Sequence, residues 1–163
     1  MQGHVRLSAP PGFATRRLMP FLAKFREIYP NISVDIVVGM KEDDIAKELC
    51  EVGVLTGRPS LPGLTYMSRG RNVYLPVASP QYIAEHGMPI HPSDLTSHTV
   101  YLYSGPVRKE TKSLVRGDLE VTLQLGRVVR MVDITAIREA LLNHMGVAVD
   151  MPLVQIYEDI ECG

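Results

Sequence analysis

Pro10-Pro11-Gly12 constrains this chain more than any other stretch, because it joins a short apolar strand, residues 5–9, to an amphipathic helix. Two prolines fix φ and the glycine admits any φ, so the triplet predicts an abrupt loop. From Leu18 onward Leu18, Phe21, Leu22, Phe25, Ile28 and Tyr29 recur three and four residues apart, which predicts a helix with one buried face. Pro30 ends it. A strand, a tight loop and a packed helix in that order make the opening of an α/β sheet. The crevice at the carboxyl end of such strands is where ligands bind.

The following segments keep the alternation. Ile32, Val34, Ile36 and Val38 read as a strand closed by Gly39. Residues 41–50 read as a short helix with Ile45, Ala46 and Leu49 on one side, and residues 51–56 as a strand ending at Gly57. Strand, helix, strand, helix, strand predicts a parallel sheet with helices on its faces. Two more strands are expected at residues 64–68 and 72–78, around Arg69-Gly70-Arg71. Ser79 and Pro80 suit the N-cap and first position of a helix over residues 81–86, which Gly87 ends. Residues 91–95 suit a single helical turn, and residues 100–103, 119–125 and 128–132 suit strands. Asp133 is placed to cap a helix carrying Ile134, Ile137, Ala140, Leu141 and His144, with Gly146 past its end. A strand at 147–149 and a helix at 152–162 close the chain. Residues 104–117, with Arg108, Lys109, Lys112 and Arg116, are expected to form an exposed loop or surface helix.

Composition narrows the class. A chain of 163 residues, 45% apolar and 21% charged, is a globular domain or two small lobes sharing a core. No apolar run approaches the roughly 20 residues of a bilayer span, so no membrane partner is expected. The N-terminus lacks a basic segment followed by an apolar core, so no signal peptide is expected. A formal net charge of −1 argues against a nucleic-acid-binding chain; Arg16, Arg17, Arg69 and Arg71 read as a solvated face. Cys50 and Cys162 read as reduced thiols of a cytoplasmic protein, not a disulfide framework. There is no G-x-S-x-G, no G-x-G-x-x-G and no phosphate-binding glycine loop with lysine. His86, His91, His98 and His144 do not fall at zinc-ligand spacing with the cysteines. No catalytic residue, metal or cofactor is expected.

The order Val5-Arg-Leu-Ser-Ala-Pro-Pro-Gly-Phe13, with Leu18-Met-Pro20 and Tyr29-Pro30, resembles the start of the effector-binding domain of LysR-type transcriptional regulators. Val52-Gly-Val54 and Leu75-Pro-Val-Ala-Ser-Pro-Gln-Tyr-Ile-Ala-Glu-His-Gly87 continue the resemblance, the latter most specifically. Pro92-Ser-Asp-Leu-Thr-Ser-His98, Gly146-Val-Ala-Val149 and Glu158-Asp-Ile-Glu-Cys-Gly163 extend it over nearly the whole chain. The resemblance implies a two-lobed fold like that of type 2 periplasmic binding proteins, each lobe a mostly parallel sheet flanked by helices. Lobe one would be 1–76 and lobe two 77–163, hinged at Leu75 to Ala78. It implies a small-molecule effector held between the lobes, and a homodimer or tetramer whose contact uses a helix over about 17–29 and a strand over 32–38. The family's winged helix-turn-helix is absent from this sequence, so the chain alone is expected not to bind DNA. The sequence also stops before the strand that crosses back to lobe one, so that lobe is expected either to expose apolar surface or to have it covered by a helix from elsewhere. A transport solute-binding protein of the same fold is the rival reading.

The resemblance carries effector contacts to Ser8, Ala9, Pro10, Pro11, Gly12 and Phe13. A helix N-terminus there offers amide donors and a positive dipole end to a carboxylate. The prolines donate nothing, which leaves the Gly12, Phe13 and Ala14 amides and the Ser8 hydroxyl; a rigid structural turn is the other reading. Met40 and Thr56 fall at cleft-lining positions of the family. Thr56 is small and neutral where the family often carries a polar or basic residue, so charge recognition falls to Arg58, beyond Gly57. Tyr103, Ser104, Asp133 and Ile134 would face the cleft from lobe two, though an ordinary N-cap is the stronger reading of Asp133. Prolines, Met40 and Tyr103 together suggest an aromatic or other carboxylate.

Overall fold

Strand Gly3–Ala9 (β1) passes into helix with no loop between them. Pro11–Phe13 (α1), a π-helical stretch Ala14–Leu18 and Met19–Ile28 (α2) run on from one another. The structure, a computed structural model, describes residues 2–105 and 108–162. The loop expected at Pro10-Pro11-Gly12 is therefore corrected. Only Pro10 stays extended (φ −58°, ψ 144°), and Pro11 takes the first helical position, where its preset φ fits and its missing N–H is not needed. The π stretch has its own cause in Pro20. That residue has no N–H for the Arg16 carbonyl, and the Met19 amide bonds to the Ala14 carbonyl instead.

The chain divides into two compact units, Met1–Arg71 and Asn72–Gly163. In the first, β1 lies between Ile32–Val38 (β2) and Val52–Gly53 (β3), all parallel, with Leu7 opposite both Ile36 and Val52. Ala9, Ala14 and Leu18 are buried, packed by Leu7, Phe13, Leu22, Ile36 and Val54. The helical face expected to be buried is only partly so: Phe21 is 63% exposed and Ile28 67%, and no residue of α2 is fully buried. The helix after β2 also falls short of Cys50. It spans Glu42–Ala46 (α3) and stops because Glu48 adopts a left-handed φ of 58°. Ala46 and Leu49 are exposed, while Ile45 packs against Gly53. The strand expected at 64–68 does not form, and β3 is only two residues long.

The second unit opens with Tyr74–Ala78 (β4), Pro80–His86 (α4) and a 3₁₀ turn, Pro92–Ser97. Thr99–Tyr103 (β5), Ser113–Arg116 (β6), Leu119–Thr122 (β7) and Arg127–Met131 (β8) follow, then Ile134–Leu142 (α5), Val147–Pro152 (β9) and Leu153–Cys162 (α6). The sheet order is β4-β9-β5-β8, with β5 parallel to β8 and β9, and β4 antiparallel to β9; β6 and β7 form a separate hairpin. Both faces are covered. Val100, Leu102, Val147 and Val149 pack with Tyr82 and Leu95 on one side. Tyr101, Tyr103 and Ala148 pack with Ile137, Ala140, Leu141 and Ile156 on the other. That is why β9 is buried throughout and reads as an apolar run, as parallel strands between two layers do.

The caps form as the sequence predicts. Ser79 Oγ accepts from the Tyr82 amide at 3.3 Å, and Gly87 leaves α4 at a φ of 81°. Asp133 Oδ1 accepts from the Thr135 amide at 2.9 Å. His144 does not lie on the buried face of α5: the helix ends at Leu142, His144 turns to a φ of 59°, and its Nδ1 lies 2.8 Å from Ser79 Oγ. The exposed loop or surface helix expected over 104–117 is corrected too. Its last part is strand β6, and Arg108 is tied into the unit; Pro106 and Val107 lie outside the described residues.

Candidate functional site

Register brings the carboxyl ends of the first unit's strands together. Ala9 lies opposite Val38, the Gly39 amide donates to the Ala9 carbonyl at 3.1 Å, and the Val54 amide donates to the Ser8 carbonyl at 2.7 Å. Ser8 and Ala9 are each 1% exposed and Gly12 is buried, whereas Pro10, Pro11 and Phe13 are half-buried. The Ser8 hydroxyl is thus not presented to solvent. Of the three amides expected to serve a carboxylate, Ala14 donates to the Pro10 carbonyl at 2.9 Å. Gly12 and Phe13 remain as first-turn amides with no acceptor inside the helix. Met40, just past β2, is half-buried; Thr56, Gly57 and Arg58, past β3, are exposed. The Arg58 guanidinium stands 5.2 Å from the centroid of the Tyr66 ring, a cation–π contact. Cys50 is buried, and burial, reinforced by Glu51, pushes its thiol above the ordinary range, so it stays protonated and unreactive.

In the second unit, Tyr103 lies opposite Met131 and the Ser104 amide donates to the Met131 carbonyl at 2.8 Å. This sets Tyr103 and Ser104 beside Asp133 and Ile134 at the carboxyl ends of adjacent parallel strands. Of these four only Ser104 is exposed. Tyr103 is buried, Ile134 packs against the core, and Asp133 Oδ1 is engaged by the Thr135 amide and by its hydroxyl at 2.6 Å.

The same end of the sheet holds a cluster that sequence reasoning missed. Asp150, 3% exposed near the end of β9, accepts from Arg108 Nη1 at 2.6 Å and from Thr111 Oγ1 at 2.7 Å through Oδ2. Arg108 Nη2 donates to the Asp150 carbonyl at 3.1 Å. The guanidinium lies 4.8 Å from the Tyr74 ring centroid and 4.9 Å from that of Tyr103. The signal was in the sequence: a carboxylate inside Val147-Ala-Val-Asp-Met151, an otherwise apolar strand, must be paired if it is buried. Nearby, Arg130 Nε donates to Glu110 at 2.8 Å, and that bond holds the Glu110 carboxyl below its ordinary range. Among the described residues no group of three or more His, Cys, Asp or Glu is placed to hold a metal ion, and no helix is long and apolar enough to cross a membrane.

Residues 1–161 match the model of the LysR substrate binding domain. The chain belongs to that family. YhjC, an uncharacterized HTH-type transcriptional regulator of Escherichia coli K12, is 30% identical to this LysR-type domain over 104 residues, 64% of this chain and 35% of YhjC. YcaN, another from that organism, is 29% identical over 146 residues, 89% of this chain and 48% of YcaN. The chain thus spans between about a third and a half of the curated relatives it matches. The regulatory domain of CrgA from Neisseria meningitidis superposes with a TM-score of 0.85 over 100% of this chain and 79% of its own, at 20% identity. That of AphB from Vibrio vulnificus does so at 0.81 over 99% and 81%, at 26% identity. The LysR-type domain therefore has the type 2 periplasmic-binding-protein-like fold, α/β with mostly parallel sheets. Its relatives are transcriptional regulators, which decides for the regulatory reading over transport.

Proposed function

We propose that this domain senses a small molecule in the cytoplasm, between lobes formed by residues 1–76 and 77–163. Its occupancy is transmitted to a helix-turn-helix of the parent regulator through a homodimer or tetramer. The observation that carries this reading is the set of parallel-strand carboxyl ends in each unit, with a helix N-terminus directly behind β1. The Gly12 and Phe13 amides suit a carboxylate, aromatic or otherwise. Met40, Thr56, Gly57 and Arg58, with Tyr103, Ser104, Asp133 and Ile134, complete the proposed lining, and α2 with β2 supplies the subunit contact. The effector acts by population shift: it moves the oligomer only by as much as it prefers one lobe arrangement over the other. A thermal-shift screen of the full chain against aromatic and aliphatic carboxylates tests this. Ligand at a hundred times its dissociation constant stabilises the fold by about 2.7 kcal/mol. Abolition of that shift by Thr56→Arg, an exposed position, is the expected result. A shift unchanged in that variant would place the ligand elsewhere.

A further inference from the structure

The second unit holds a charged pair that its packing does not require. A buried aspartate and arginine add little net stability over apolar side chains of similar volume, so what the pair contributes is the placement of Arg108. Asp150 Oδ2 accepts from Nη1 at 2.6 Å and the Asp150 carbonyl accepts from Nη2 at 3.1 Å, so the aspartate occupies the end of the guanidinium. Thr111 Oγ1 takes the other Nη1 hydrogen at 3.2 Å, and the Tyr74 and Tyr103 rings flank the group. Two donors are left, Nε–H and the Nη2–H beside it, with no acceptor among the described residues. They point the same way, at the spacing that the two oxygens of a carboxylate match. Asp150 is 4% exposed and Arg108 21%, so the pair is closed from the aspartate side and open from the arginine side. Tyr103 ends β5 and Asp150 lies near the end of β9, which puts the pair on the carboxyl side of two parallel strands. The surrounding charge favours an anion as well. Arg108 and Arg130 are matched by Asp150 and Glu110, whereas Lys109 and Lys112 of the same segment form no ion pair among the described residues.

We propose that the Nε edge of Arg108 receives the effector's carboxylate in two parallel hydrogen bonds, with Asp150 as the positioning residue that holds the guanidinium for it. The inference rests on the sensing reading and assigns the acid group to a residue of the second unit. The test follows the arginine Nε–H resonances of the full chain by NMR during titration with the aromatic and aliphatic carboxylates of the thermal-shift panel, each beside the primary amide of the same skeleton. An acid on that edge moves the Arg108 Nε–H downfield and leaves that of Arg130, already bonded to Glu110, in place. The amide binds about tenfold or more weakly. Arg108→Lys keeps the charge but not the paired donors, and weakens the acid by a similar factor. Should that variant fail to fold, the resonances of the unaltered chain still decide. An acid that binds with the Arg108 resonance unmoved, or no better than its amide, overturns the Arg108 assignment and leaves the sensing reading standing. A folded Arg108→Lys chain that binds the acid unchanged does the same. Binding by none of the acids overturns both.

Discussion

The two units start from the same strand-and-helix plan and bury it differently. In the second, β5 and β9 send alternate residues into two separate apolar clusters, and Val100, Leu102, Ile137, Ala148 and Met151 are completely inaccessible. In the first, one cluster lies against a single face of β1. The opposite face is covered only at its carboxyl end, where Ser8 is 1% exposed; at its start His4 and Arg6 pair with Asp35 at 3.4 and 3.8 Å, all well exposed, and such surface pairs contribute little. A sheet covered along both faces resists opening more than one whose second face is half open. The first unit is the part expected to exchange its amides faster and to yield first to protease.

The largest expected effect tests that contrast directly. Leu102→Ala should cost about 2–5 kcal/mol, because the site is closed on every side. Phe21→Ala, on the apolar face of α2 but 63% exposed, should stay within about 0.5 kcal/mol. Urea denaturation of both variants checks this, and equal losses would break the comparison. Next comes the ion pair. Arg108→Ala strands a carboxylate only 4% exposed and should cost about 3 kcal/mol. Arg130→Ala removes a pair whose arginine is 54% exposed and should leave stability nearly unchanged. Asp133→Ala should cost about 1 kcal/mol by uncapping α5, seen as lower helicity and a lower melting temperature. The counterpart in the first unit is Asp44, whose Oδ2 accepts from the Lys41 amide at 2.9 Å at the start of α3; α1 and α2 have no side-chain cap.

What the sequence made legible follows the same division between local and distant causes. β2, β5, β8, α4 and α6 were readable because alternation, caps and glycine stops act within a few residues. Pro10-Pro11 was misjudged since proline suits both a loop and a first helical turn, and only the backbone beyond Gly12 decides between them. Periodicity marked the apolar face of α2 but says nothing of whether neighbours cover it, which is why Phe21 and Ile28 emerge exposed. The Arg108–Asp150 pair joins residues 42 apart in the chain, and no local pattern names such a partner. At the candidate site the positions of Tyr103, Ser104 and Asp133 followed from strand ends. Their burial and capping bonds did not.

The smallest effect separates the units by chemistry instead of packing. Glu51 in the first unit is held below the ordinary carboxylate range chiefly by the Arg6 amide, which donates to it at 2.6 Å. Glu110 in the second is held low chiefly by the Arg130 guanidinium. A depressed folded-state pKa contributes stability that is present above the unfolded value, about 4.3 for glutamate, and is lost as pH falls through the folded one. Both units should therefore weaken on the acid side and neither at neutral pH. Carboxyl titration by NMR distinguishes them: Arg130→Gln should return Glu110 toward its ordinary pKa and leave Glu51 where it is. A backbone donor cannot be removed by changing a side chain, so a shift of Glu51 in that variant would mean that acid acts on the two units together.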